Sequence, residues 1–412
     1  MVLRATKVRE EESINNQKKL RSGFFQRREK LNPGDGDETP EGRESDNSTV
    51  VYRQFSDDPK AVMVIDEEKI PKPENGNDVV VKIQASMVSY NDCVARRGMS
   101  LSIKDPVCLP STPGMEFVGK IVSVGREVKE WKEGDRVAAL IRIGGNSRYI
   151  VVPQTSLIAV PRRLDSAEAA CMVATYMTAY QSIKPCIGES RTLKGKKVLI
   201  TGGIGTRGQA LIQISLRAEA SAIYATAPEN LHRYVRSVLG AIPLPMEPRK
   251  WLPFVKGRMD VVLDGVCDDG FHSPKMALSK NGKLVCIGMA SILNNESMGA
   301  FGAPLSAHWN LAKAEYFMSR TTFYDVWSSF NEDPKTFKRD LEHIFKLLAK
   351  REIKPNIAKK ICLKEVSDAH IYMESGKARG AIVCLPWKRK PFISGVRNPE
   401  YTENREEEPK VQ

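Results

Sequence analysis

The sequence predicts a two-part α/β chain: a twisted, barrel-like β unit followed by a doubly wound parallel sheet. Two rhythms carry this. From about residue 50 to 165, short β-branched runs are separated by Gly and Pro punctuation, as in an antiparallel all-β unit. From about 175 to 325, strand runs alternate with helical segments, as in right-handed βαβ units. The 412 residues are ample for a buried core and suit roughly two to three domains.

In the first part, Val79–Ile83 is a β-branched run and Phe117–Val124 follows a Pro-Gly turn. Gly134-Asp135 introduces Arg136–Leu140, and Tyr149–Val152 is a further strand. In the second, Lys197–Thr201 reads as a buried strand that opens through glycines into a helix ending near Arg217. Ala222–Thr226 is the next strand, Glu229–Leu239 a helix, and Met259–Asp264 and Gly282–Gly288 hold further strands. Gly240–Arg258 carries Pro243, Pro245, Pro248 and Pro253, so a helix there is expected to be trimmed or irregular. Ser291–Lys313, rich in Gly and Asn, is expected to be a mobile lid. Pro334–Lys350 sets Phe337, Leu341, Ile344, Phe345 and Leu348 on one helical face, and Ile361–Leu385 returns to strand, helix and strand.

Composition narrows the class. Hydrophobic residues make up 41% and charged residues 27% of the chain, which excludes a wholly disordered, collagen-like or disulfide-dense protein. No apolar run of about 18 residues is present, so no helix is expected to span a membrane. The formal charge is +13. Residues 1–49 carry ten basic and ten acidic side chains and residues 388–412 carry six and five, so +12 lies between them. A basic body can attract nucleic acid, anionic lipid or a phosphorylated cofactor; scattered surface lysines are the plainer account. Residues 1–49 are polar and acid-rich, read as a disordered extension rather than a targeting peptide. Residues 388–412 read as a flexible tail. The eight cysteines are at least 15 residues apart, without zinc-knuckle spacing. Buried reduced thiols in a cytoplasmic protein are expected.

The chemistry centres on Gly203-Ile204-Gly205-Thr206-Arg207-Gly208. Gly-x-Gly-x-x-Gly gains meaning here because it follows a β-branched strand and opens a helix. Glycines at Gly203, Gly205 and Gly208 permit a tight turn and close approach of a pyrophosphate, which the helix N-terminus attracts. An NAD site usually carries an acid at the end of the second strand, but that strand ends Ala225-Thr226-Ala227-Pro228. With no carboxylate to repel a 2′-phosphate, and with the Thr226 hydroxyl, His232, Arg233 and Arg236 nearby, NADPH is favoured over NADH. The plainer account of Arg233 and Arg236 is a solvated helix face. Arg207 is expected to point to solvent, with a phosphate contact as the alternative.

The chain resembles the medium-chain dehydrogenase/reductases of the zinc-free quinone-oxidoreductase type over about residues 60–387. The motifs are Val88-Ser89-Tyr90-Asn91-Asp92 with Arg96-Arg97-Gly98, and Pro113-Gly114-Met115-Glu116-Phe117-Val118-Gly119. Val124-Gly125, Lys132-Glu133-Gly134-Asp135-Arg136-Val137 and Thr178-Ala179-Tyr180 follow. The glycine turn, Asp260–Asp264, Gly282–Gly288 and Gly376–Gly380 complete the series. The resemblance implies a GroES-like catalytic domain (50–175), a Rossmann cofactor-binding domain (176–326) and a C-terminal return to the catalytic domain (327–387). Ser89 and Met115 stand where zinc members place Cys and His, and the cysteine-rich structural lobe is missing, so no metal is expected. By resemblance Tyr90 and Asn91 face the nicotinamide and substrate, Asn91 bonding the acceptor oxygen and Tyr90 donating to developing enolate charge. Asp92 and Glu116 orient backbone or partner an arginine, and Tyr176 and Thr178 contact the cofactor. Thr206 and Arg207 depart from the family, which commonly has Gly and a small apolar residue there. Ser147-Arg148 departs as well, reversing a charge expected near the cleft. The resemblance also implies a homodimer through a Rossmann edge strand near Arg320–Val326.

The leading expectation is an NADPH-dependent, zinc-free reductase of quinones or α,β-unsaturated carbonyls. Two alternatives stay open: a weakly catalytic relative acting in RNA binding or membrane trafficking, and an enoyl-thioester reductase.

Overall fold

The computed structural model describes residues 46–99, 107–187, 192–293, 306, 309 and 320–388. The expected tail and most of the N-terminal extension and Ser291–Lys313 lie outside these. The first strand, β1 (Asp46–Tyr52), begins inside the segment expected to be loose. It pairs antiparallel with β2 (Met63–Lys69), and Tyr149 donates its N–H to the Asn47 side chain at 2.9 Å. That bond ties the hairpin to the main β unit.

The β unit is built on β3 (Asp78–Val88), β4 (Glu116–Val124), β5 (Arg136–Leu140), β6 (Tyr149–Pro153) and β7 (Ile158–Ala159). Val79, Val81 and Ile83 alternate inward with Phe117, Ile121, Val137 and Ala139 to form its interior, the period-2 pattern of a strand with one core face. The helix α1 (Tyr90–Arg96) follows β3 directly. After β7 the chain runs through Ser166–Cys171, a π-helical turn Met172–Tyr176 and α2 (Met177–Ser182). Ala169, Ala170, Met172, Val173, Tyr176 and Met177 are buried in a cluster that also takes in Met87 and Val118 from the β unit and Val198 and Ile200 beyond it. This segment therefore cements the two parts.

The second sheet holds β8 (Lys197–Ile200), β9 (Ala222–Thr226), β10 (Ile242–Leu244), β11 (Met259–Asp264), β12 (Leu278–Cys286) and β13 (Thr321–Phe323). All neighbours are parallel, in the order β10-β9-β8-β11-β12-β13. Numbered from its own first strand this is 3-2-1-4-5-6, the doubly wound dinucleotide-binding order, reversing between β8 and β11. Val198 and Ile200 pack on one face, with Val261 and Leu263. Leu199 and Val262 pack on the other, with Trp251 and Phe271. Helices cover both faces, which is why these strands read as unbroken apolar runs. The helices include α3 (Thr206–Arg217), α4 (His232–Ser237) and α5 (Pro248–Val255). The third strand, β10, was not expected in the Pro-rich stretch; Pro243 sits in it because β10 is an outer strand of the sheet. α5 is short, with Pro253 inside it.

The return follows α6 (Pro334–Ala349), whose expected apolar face is buried throughout. β14 (Ile357–Ile361) pairs with β15 (Ala381–Cys384), with α7 (Val366–Glu374) between them, and β15 pairs antiparallel with β3. The C-terminal segment thus completes the seven-stranded sheet begun about 300 residues earlier, at Met87↔Val383 and its neighbours. The Arg148 guanidinium stacks on Trp387 of this return, 5.0 Å from the ring centroid. Among the described residues no helix is long and apolar enough to cross a membrane.

Candidate active site

The glycine turn lies at the carboxyl end of β8, beside the strand reversal. Gly202 has φ +66, a left-handed conformation glycine adopts without strain. A Cβ on Gly203 would lie 2.7 Å from Ala225 Cβ, and one on Gly208 would lie 2.1 Å from the Gly202 carbonyl oxygen. Those two glycines let strand, turn and helix approach. A Cβ on Gly205 meets the Gly202 oxygen only at 3.5 Å, an ordinary van der Waals contact, so packing does not demand glycine there. Gly205 caps α3 without a side-chain bond, leaving the first-turn N–H groups of Thr206 and Arg207 outside the intrahelical ladder. This cradle fits a pyrophosphate.

Thr226 locks the turn. Its hydroxyl accepts the Gly202 N–H at 2.9 Å, and its carbonyl accepts the Gly203 N–H at 2.9 Å. The expected role of that hydroxyl toward a ligand is therefore shared with a structural one. Beyond it, the His232 ring sits 3.1 Å from the Ala227 carbonyl. Arg233 and Arg236 are exposed on α4 and form no ion pair among the described residues.

The expectation for Arg207 is corrected by the structure. Its side chain turns inward, and Nη1 donates to the Ile287 carbonyl oxygen at 2.8 Å. Burial depresses its pKa, opposed first by Asp325 and then by Glu116 and Tyr324. Ile287 follows β12, two strands across the sheet from β8.

On the β-unit side, α1 is started by Ser89. A capping box joins Ser89 and Asp92, the Asp92 carboxylate accepting the Ser89 N–H and hydroxyl at 2.7 Å each. The other Asp92 oxygen accepts the Gly114 N–H at 2.8 Å. Asp92 thus orients backbone, as expected. This fixes Tyr90 and Asn91 in the first turn of α1. Asn91 is exposed, its Nδ2 3.5 Å from Met115 Sδ. The Tyr90 hydroxyl accepts from Arg97 Nη2 at 3.0 Å. Burial raises the Tyr90 pKa, and Arg97 opposes the rise. Arg97 and Arg96 both reach Glu374 of α7, at 3.5 and 2.5 Å. Glu116 is buried at the start of β4, and desolvation, reinforced by Asp92, lifts its pKa to about 8 against the pull of Arg207. Thr178 is buried on α2. Tyr176 is buried just before it. Glu374 joins Tyr90 and Arg97 from more than 270 residues onward, which no local motif announces.

A zinc ion does not fit here. The Ser89 hydroxyl is spent on the capping box, Met115 offers a thioether, and zinc wants thiolate, imidazole or carboxylate. Among the described residues no group of three or more His, Cys, Asp and Glu stands together as a ligand set.

Residues 75–162 match the family described as alcohol dehydrogenase GroES-like domain, and residues 251–384 that described as zinc-binding dehydrogenase. With the strand order and the glycine turn, these place the chain in the medium-chain dehydrogenase/reductase superfamily, a family of NAD(P)-binding oxidoreductases, on its quinone-oxidoreductase-like side. Among individual proteins, it is similar to quinone oxidoreductase-like protein 2 of Bos taurus, 26% identical over 324 residues, which span 77% of this chain and 87% of that one. It is 25% identical to the synaptic vesicle membrane protein VAT-1 homolog of Rattus norvegicus, over 78% of this chain and 80% of that one. The fold is shared with the quinone oxidoreductase from Coxiella burnetii, at a TM-score of 0.67 and 22% identity, covering 82% and 99% of the two chains.

Proposed function

We propose that the protein is an NADPH-dependent, zinc-independent reductase of quinones or α,β-unsaturated carbonyls. The observation that carries the cofactor preference is the end of β9: Thr226 stands where a ribose-binding acid would, its hydroxyl on the glycine turn, with exposed Arg233 and Arg236 just beyond. A 2′-phosphate there meets cations and no carboxylate. Gly205 and the N–H groups of Thr206 and Arg207 hold the pyrophosphate, Gly203 and Gly208 give the turn its shape, and Thr178 lines the α2 side.

Held in this cradle, NADPH would be the source of the hydride for the electron-poor carbon of the acceptor. Asn91, exposed at the start of α1, donates from Nδ2 to the acceptor oxygen and holds it as charge develops. Tyr90 gives the proton that completes the reduction. Its raised pKa keeps the phenol protonated at neutral pH, and the Arg97 guanidinium stabilises the phenolate left behind. Ser89 and Asp92 keep both side chains at their places on α1.

The test is a titration with NADPH and NADH followed by quinone, enone and enoyl-thioester panels. Tighter NADPH binding, lost in Arg233→Ala and Arg236→Ala, with turnover of quinones or enones, is the expected result. Absence of binding by both nucleotides overturns the reading, and turnover confined to enoyl thioesters moves it to that acceptor class. Salt-dependent RNA binding without nucleotide binding favours a non-catalytic role.

A further inference from the structure

Arg207 stands at the second residue of α3, where the helix dipole disfavours a cation. Its charge is not spent on a surface carboxylate. The side chain crosses from the end of β8 to the Ile287 carbonyl beyond β12, two strand spacings or about 10 Å over the sheet. In a doubly wound sheet the first half, here β8 to β10, faces one mononucleotide and the second half, β11 to β13, the other. The backbone of Arg207 therefore belongs to the pyrophosphate cradle, and its guanidinium lies in the second half.

The guanidinium is hemmed in there. A Cβ built on Gly288 would lie 3.2 Å from Nη1, so it rests on the backbone after β12. Asp325 and Tyr324 after β13 and Glu116 from the β unit are the groups that act on its charge. Two of these are committed elsewhere. Asp325 caps the helix Val326–Glu332 through the Ser328 N–H at 2.8 Å, and the Tyr324 hydroxyl donates to Gln181 at 2.8 Å. Arg207 is thus held by one hydrogen bond, to a carbonyl, and by the attraction of Asp325 without an ion-pair contact; that hydrogen bond is one a ligand can displace.

We propose that Arg207 occupies the part of the crevice meant for the nicotinamide half of the dinucleotide, so that the adenosine phosphate half carries the binding affinity and the nicotinamide half enters only as Arg207 swings out. The inference rests on the NADPH reading above and deepens it. Arg207 acts as a specificity-determining residue: it sets which portion of the cofactor the protein recognises. Only the fraction of molecules with Arg207 displaced is competent for the whole ligand, and apparent affinity falls by that fraction.

The test is calorimetric titration of the full chain with NADPH and with 2′,5′-ADP, which carries the adenosine phosphates and no nicotinamide. Wild type, Arg207→Val and Arg207→Gln are compared, the last retaining a polar side chain should the valine variant fold poorly. In wild type the two ligands are expected to bind within ~3-fold of each other, and in both variants NADPH is expected to tighten by ~10-fold, about 1.4 kcal/mol, with 2′,5′-ADP unchanged. Unchanged or weakened NADPH binding in the variants overturns the inference, weakening showing that Arg207 is a phosphate ligand. If neither ligand binds any form, the cofactor reading itself fails; binding of 2′,5′-ADP in all forms keeps that reading standing while the Arg207 inference is judged.

Discussion

The hydroxyl of Tyr90 and the guanidinium of Arg97, seven residues apart and on either end of one short helix, meet at 3.0 Å. The pair is anchored from the other end of the chain by Glu374. If Tyr90 is the proton donor, Arg97 is its positioning partner. Tyr90→Phe and Arg97→Met are each expected to lower kcat by about 10- to 100-fold. Cofactor binding, read separately by titration, should not move. In Arg97→Met the alkaline limb of the kcat profile should shift upward, because the group opposing the burial-raised phenol pKa is gone. Equal kcat in Tyr90→Phe and wild type would remove Tyr90 from the chemistry.

Asp92 joins α1 to the loop before β4 by three bonds, from the Ser89 N–H, the Ser89 hydroxyl and the Gly114 N–H. Asp92→Ala leaves those buried donors unmatched, and a loss of about 2–4 kcal/mol in chemical denaturation is expected. Asp92→Asn keeps an acceptor and should lose less.

Glu116 gives a pH signature. Its folded pKa of about 8 lies above the ordinary carboxyl value of 4.5. Between those values the unfolded chain releases a proton that the folded chain keeps, so folding stability falls as pH rises through this window and levels off above the folded pKa. Glu116→Gln removes the ionisation. The stability of the variant relative to wild type should therefore climb between pH 5 and 8, by an amount on the order of 2–4 kcal/mol. A difference that stays flat with pH would show that Glu116 ionises normally.

The glycine turn separates steric need from ligand need. Gly208→Ala drives a methyl to 2.1 Å from a backbone oxygen, and the melting temperature should drop by several degrees, about 4 °C or more for a cost above 2 kcal/mol in a chain of this size. Gly205→Ala meets its nearest atom at 3.5 Å. It should fold normally and lose nucleotide affinity, which calorimetry and thermal melting together would show.

Much of this architecture was legible in the linear chain because it rests on local patterns. The buried strands Lys197–Ile200 and Met259–Asp264 declare themselves as β-branched runs buried on both faces, and α6 declares itself by its apolar stripe. The strand Ile242–Leu244 did not, since three residues containing Pro243 look like a loop until an outer sheet position excuses the missing donor. The site divides in the same way. The Ser89–Asp92 cap and the glycine turn are short-range and could be read, whereas the Tyr90–Arg97–Glu374 chain depends on α7 docking beside α1. The inward turn of Arg207 is not legible locally, because helix position alone favours solvent for a cation; the carbonyl that recruits it lies 80 residues onward.

The pairing of β15 with β3, with Ser86 opposite Cys384, bears on the order in which the protein is made. As the chain leaves the ribosome, all six strands from β8 to β13 emerge before either strand of the return. The nucleotide-binding sheet can complete itself during synthesis, while the sheet that begins first waits on a partner roughly 300 residues downstream. In the nascent protein the β3 edge that will accept β15 stands open throughout that interval, and a chain cut after Phe323 would keep it open for good.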